Sequence, residues 1–266
     1  MRLFGALAAL LTVSCASSLI GHGKGKNAEE LYKNAMEDLK DSLYPEALQG
    51  FSEVKAKYPY SKFAALADLR TADTHYERGK YIEAIDAYRQ FMKLHPNHEE
   101  VPYAMFRIGE AYVKQAPEDW WFMPPASEKD QANTRLAITA YQDAIDRFPN
   151  SDYAQKSRDK LAECRGVLAQ HELYVAKFYW GREKWRAAAN RAEAVVRDFG
   201  GSKLDPEALL LAARALGRAG EADGARADAQ KLIDRYPKSS EAADAKKLLG
   251  ELPQPAAPAP APSQGG

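Results

Sequence analysis

At five points along this chain a stretch of helical periodicity closes on an aromatic residue or a histidine followed at once by proline or glycine. The pairs are Tyr58-Pro59, His95-Pro96, Phe148-Pro149, Phe199-Gly200 and Tyr236-Pro237, spaced 37, 53, 51 and 37 residues apart. A period in the middle thirties belongs to stacked helical hairpins, each too small to bury its own apolar face. The spacing predicts an all-α fold: a right-handed superhelix of about five tetratricopeptide-like hairpins. Such solenoids bind other proteins along extended surfaces.

The residues between the breaks agree. Ala, Leu, Glu, Lys and Arg dominate, all strong helix formers. Ala84, Tyr88 and Phe91 fall on one face at i, i+4 and i+7. The same register recurs at Ala47/Phe51 and Ala137/Tyr141, with a related one at Ala187/Arg191, where an arginine takes the aromatic's place. Small Ala lets neighbouring helices approach, and the aromatic fills the space between layers. Three junctions share P-x-S-x-x-A, beginning at Pro59, Pro149 and Pro237. There Pro stops the outgoing helix, and Ser61, Ser151 and Ser239 are placed to cap the incoming one. Gly79 and Gly220 mark turns inside hairpins.

Two hairpins are longer than the rest. The third carries sixteen extra residues, including Trp120-Trp121-Phe122-Met123-Pro124-Pro125. Clustered aromatics of this kind make a protein-docking patch, or else the loop folds back to plug a gap in the superhelix. The fourth carries fourteen extra residues, yet 152–180 holds no helix breaker apart from Gly166. Fourteen residues are about four turns, so one continuous helix of roughly 40 Å absorbs them without changing its buried face. The repeat region therefore reads as 27–250, with N-terminal repeats over 27–130, an irregular middle with a long helix over 131–184, and C-terminal repeats over 185–250.

The ends differ in kind. Residues 1–14 have one Arg and an apolar run from Leu3 to Leu11, too short to span a bilayer, and read as an export signal. A Cys at the cleavage point, Cys15, makes this resemble a bacterial lipoprotein signal, with the thiol acylated and residues 15–26 forming a lipidated tether. The other reading is a secreted chain with an incidental Cys. Ala16 after the anchor, where the inner-membrane sorting rule needs Asp, points to the outer membrane. Residues 251–266 are a Pro/Ala tail, in which closely spaced prolines prevent a helix. With Cys15 acylated, Cys164 has no disulfide partner and reads as a small core residue. Acidic and basic residues number 37 each, so no basic excess argues for nucleic acid.

One stretch is more specific than a generic repeat: Leu168-Ala-Gln-His171-Glu172-Leu-Tyr174-Val175-Ala176-Lys-Phe178-Tyr179, followed by Ala187-Ala-Ala-Asn190-Arg191. Together with the irregular third hairpin, the HP-x-H segment at His95–His98 and the lipoprotein signal, it resembles the BamD family of the bacterial β-barrel assembly machinery, over about 27–250. The resemblance implies a lipid-anchored scaffold at the periplasmic face of the outer membrane, with neither cofactor nor catalysis. Its implied partners are a BamA-like barrel protein, other Bam lipoproteins and unfolded outer-membrane proteins. It also implies that Arg191, with Asn190 beside it, couples the chain to the barrel protein, and that Tyr58 helps receive the substrate's strand signal.

Residue chemistry keeps alternatives beside these roles. Arg191 must find an acceptor for its fork of five N–H donors, either on a partner or internally on Glu172 or Glu193. Tyr58 is also explained by core packing, since an aromatic before Pro recurs in the repeat. Adjacent His171 and Glu172 point about 100° apart on a helix and read as solvated or structural. Another envelope repeat lipoprotein, such as a secretin pilotin, is the alternative function. An enzyme is disfavoured, because the chain has no metal-spaced His cluster, Gly-rich phosphate loop or nucleophile elbow.

Overall fold

The structure is a computed structural model that describes residues 27–117 and 128–253. Eleven α-helices and no strand occur among the described residues. Contacts divide the chain into two units, Met1–Thr74 and His75–Gly266, the division falling inside the third helix.

In the first unit, α1 (Ala28–Lys40) starts at Asn27, whose side-chain oxygen accepts from the Glu30 N–H at 2.9 Å. It pairs with α2 (Tyr44–Lys57), and α3 (Lys62–Glu77) contributes its first turns. Leu31, Ala35, Ala47, Phe51, Val54 and Ala67 form the core. Gly50 lets α2 approach α1: a Cβ there would lie 2.7 Å from the Ala35 Cβ.

The second unit holds the end of α3 followed by α4 (Tyr81–Leu94), α5 (Val101–Gln115), α6 (Ala132–Arg147), α7 (Asp152–Trp180), α8 (Trp185–Phe199), α9 (Asp205–Arg218), α10 (Ala222–Arg235) and α11 (Ser240–Glu251). From α4 on, each helix packs on the next, and α5·α7, α7·α9 and α9·α11 also touch, which is the stacking of successive helical hairpins. The fourteen extra residues of the fourth hairpin are absorbed as expected: α7 is a single helix of 29 residues, about 44 Å long.

The hairpin turns are copies of one another, which the sequence only half revealed. A residue with positive φ sits two positions before helix two, four and ten at Ser42 (60°), Gly79 (73°) and Gly220 (81°), and before helix eight at Glu183 (58°). Behind each, the same 6→1 bond closes the helix: Leu43 to Asp38, Lys80 to His75, Lys184 to Tyr179 and Glu221 to Leu216, N–H to carbonyl at 2.8–3.0 Å. Only two of the four positions carry glycine, the residue that occupies this conformation without a steric penalty. Glu183→Gly should therefore stabilise the fold by about 0.5–1 kcal/mol, read as a raised melting temperature. Gly220→Ala should lower it by a similar amount.

Two of the three expected serine caps form. Ser151 and Ser239 accept from the N–H groups of Ala154 and Ala242 at 3.1 and 3.2 Å. Ser61 instead donates its hydroxyl to the Tyr58 carbonyl at 2.9 Å. Where α5 meets α6, Gly109 lies against the fully buried Tyr141, and an added Cβ would fall onto that ring. Gly109→Ala should cost about 2 kcal/mol through overpacking, although Ala is the better helix former. A melting curve at or above that of the unaltered chain would show that the ring moves freely.

Candidate functional site

One polar cluster joins three consecutive helices of the second unit. Glu172 of α7 is among the few buried charged residues, its side chain 7% exposed. Its Oε2 accepts from Arg191 Nη1 of α8 at 2.8 Å, and its Oε1 lies 3.5 Å from Arg135 Nη2 of α6. Of the two internal partners weighed for Arg191, the structure selects Glu172. Burying that carboxylate calls for such pairing, because an isolated ionised carboxylate is costly away from water. Arg191 stays half exposed, and Asn190 beside it is exposed.

The register of α8 differs from the expectation. Its core pair is Ala188 and Ala192, both fully buried, not Ala187 and Arg191. Counted from the first helical residue, these are positions four and eight, as are Ala47/Phe51 in α2, Ala84/Tyr88 in α4 and Ala225/Ala229 in α10. Alanine thus fills the aromatic's slot in the last two hairpins, and Arg191 projects from the neighbouring stripe. Three consecutive alanines offered no size difference from which to choose. An aromatic at the first helical position, Tyr44, Tyr81 and Trp185, is the signal that fixes the register.

Tyr58 lies in the other unit. It ends α2, half-buried against the core of that unit, with φ of −134° and its N–H bonded to the Val54 carbonyl. His95, Phe148 and Tyr236 end their helices with φ between −129° and −135° and ψ between 52° and 58°, outside the helical region that a following Pro disfavours. The geometry is therefore common to the repeat. Cys15, Trp120 and Trp121 lie outside the described residues. Cys164 packs with Phe106, Ala137 and Tyr141, and burial, then the charge of Glu163, pushes its thiol up to about 11.

Two carboxylates nearby have opposite electrostatics. Asp205, at the start of α9, is fully buried. It accepts from Tyr236 Oη at 2.5 Å, from the Gly201 N–H at 2.8 Å, and from the Ser202 hydroxyl and N–H at 2.7 and 3.2 Å. Burial alone drives its carboxyl upward, but these four donors outweigh that and hold it below the ordinary aspartate range. Asp228 on α10 has a buried Oδ2 with no partner among the described residues. Burial, then the negative charge of Glu193, pushes its carboxyl up to about 6. A folded value above the unfolded one of about 3.9 means that ionisation opposes folding. Asp228→Asn should stabilise the chain by about 1–2 kcal/mol at pH 7.5, and the gain should vanish towards pH 4, as melting curves across that range would record.

Arg135 and Asp205 were missed from sequence. Arg135 belongs to no motif, whereas the Asp-Pro pair at 205–206 does signal a helix start. Among the described residues no group of three or more His, Cys, Asp or Glu is placed to hold a metal, and no helix is long and apolar enough to cross a membrane.

Comparison with known proteins places these features in context. Residues 24–229 match the family model of YfiO, outer membrane lipoprotein. The chain is similar to outer membrane protein assembly factor BamD of Neisseria meningitidis serogroup A (strain Z2491), 28% identical over 222 residues, covering 80% of each chain. It is likewise similar to that of Caulobacter vibrioides (strain CB 15), 27% identical over 252 residues, covering 92% of this chain and 80% of the relative. Among solved structures, the TPR2AB domain–pHSP90 complex of yeast Sti1 aligns at a TM-score of 0.46 and 17% identity, covering 84% of both chains.

Proposed function

The chain belongs to the YfiO family of outer membrane lipoproteins, and from that premise we propose that it is a non-enzymatic assembly factor for outer-membrane proteins. It acts as a scaffold. Its anchor is an acylated Cys15 that tethers it to the periplasmic face of the outer membrane, with residues 1–14 removed. The C-terminal repeats hold the periplasmic domain of a BamA-like barrel protein through Arg191 and Asn190, alongside other Bam lipoproteins. The N-terminal repeats, with Tyr58, receive unfolded outer-membrane proteins, and the Trp120-Trp121 segment is a further contact.

The observation that carries this reading is the family match across 24–229, supported by relatives that bear the name of outer membrane protein assembly factor. The exposure of Arg191 adds to it, because a guanidinium bound to the fold through one nitrogen keeps donors for a partner. Support for the receiving role comes from a groove between α4, α5 and α6 lined by Met92, Met105, Ile108 and the 46% exposed Leu136, together with Arg89, Asp143 and Arg147. Flexible methionine side chains let a groove adapt to varied apolar segments.

Immunoprecipitation of the tagged chain from detergent-solubilised envelopes, read by mass spectrometry, tests the reading. The BamA-like protein at near-equal amounts is the expected result. A secretin in its place would overturn the assembly role in favour of a pilotin.

A further inference from the structure

The last helix hands the chain into a groove. After α11 stops at Glu251, Leu252 follows with φ of −73° and ψ of 141°, the backbone of a polyproline II helix. Leu252 packs with Trp180 on the cluster that holds Ala188, Ala215 and Ala225. Gly217 leaves room for it: a Cβ there would come 3.3 Å from Leu252 Cδ2. Pro253 then lines an open groove of about 530 Å³, shared with Trp180, Arg214, Gly217 and Arg218.

The sequence continues this geometry. Prolines stand at 253, 255, 258, 260 and 262; each locks its own φ near −65° and turns the residue before it away from the helical region. A polyproline II backbone has no internal hydrogen bonds, so its carbonyls stay open to donors. Proline-rich segments dock on aromatic-lined grooves because they arrive already ordered. This groove offers the Trp180 ring and the exposed guanidinium groups of Arg214 and Arg218. Arg214 is bonded to Asp244 of α11 at 2.6 Å, which fixes it between α9 and α11.

We propose that the occupant of this groove is the chain's own proline-rich tail, residues 254–262, which lies beyond the described residues and continues from Pro253. Covalent attachment favours this occupant over a separate partner. A segment joined directly to its groove faces it at an effective concentration in the mM range, so contacts too weak to hold a free peptide hold the tail. Seated there, the tail covers the edge of the last hairpin, as the capping segments of solenoids do.

Photo-crosslinking of the full chain tests this. Benzoylphenylalanine is placed at Ala257, and separately at Ala261, and the adducts formed on irradiation are mapped by mass spectrometry. They should form within one copy and fall mostly on Trp180 and on residues 214–218. Gly217→Leu fills the space that Leu252 uses and should cut that yield about tenfold, with a melting curve to show that the variant folds. Arg218→Glu alters only an exposed side chain and should cut the yield about fivefold, so it decides the matter if Gly217→Leu fails to fold.

Adducts scattered evenly over the surface, or a yield that ignores both variants, would overturn the assignment. So would adducts that join two copies, or adducts in intact cells to a second envelope protein with the internal ones missing, since either gives the groove to another occupant.

Discussion

An Arg191→Glu chain is expected to lose at least about tenfold in binding to the barrel protein's periplasmic domain and about 2 kcal/mol in folding stability. The stability term follows from Glu172. The substitution removes its 2.8 Å partner and brings a second carboxylate to a side chain only 7% exposed, with Arg135 at 3.5 Å as the remaining cation. Breaking a fully buried pair costs about 3–5 kcal/mol, and the half-exposed Arg191 places this one lower. For a unit of this size the melting temperature should fall by about 4–8 °C.

The two effects separate in a double variant. Glu172→Gln with Arg191→Gln removes both charges, so no unpaired carboxylate stays buried. Stability should return most of the way while binding stays lost. Recovery of binding together with stability would show that Arg191 serves only the internal pair. Unchanged binding and an unchanged melting curve in Arg191→Glu would contradict both roles.

Asp205→Ala carries the largest expected loss of stability, about 3–4 kcal/mol. It strands the Tyr236 hydroxyl, two backbone N–H groups and the Ser202 hydroxyl around a position with no solvent access. The Tyr236 bond ties the start of α9 to the residue that ends α10, so the loss falls on the last hairpin. The pH dependence has a definite sign. The folded carboxyl lies below its unfolded value of about 3.9, so its contribution is fully present above that pH and is lost as pH falls through the folded value. The gap between the unaltered chain and Asp205→Asn should be widest above pH 5 and close on acidification, as thermal melts across pH 2–7 would report.

Helix punctuation was the legible part of the fold. Proline after Tyr58, His95, Phe148 and Tyr236 disfavours a continued helix, and 29 residues with no breaker but Gly166 can form one helix, so both follow from local chemistry. Ser42 and Glu183 were not legible as turn residues, because packing on either side imposes the left-handed conformation that their own sequence does not favour. In α8 the run Ala187-Ala188-Ala189 hid the register, which is set by where the turn delivers Trp185 to the helix. Of the candidate site, Arg191 could be named from sequence, with its internal acceptor narrowed only to Glu172 or Glu193. Arg135 could not: it is 37 positions from Glu172 and meets it only through the packing of α6 on α7. Long-range polar pairs leave no periodic trace.

If this chain assembles outer-membrane proteins, controlled depletion in the native organism will expose the defect. The measurement is the amount of folded barrel protein in purified outer membranes, scored by heat-modifiable electrophoretic mobility as the chain disappears. Folded barrels should decline while unfolded forms accumulate in the periplasm. Undiminished folded barrels after full depletion would contradict it.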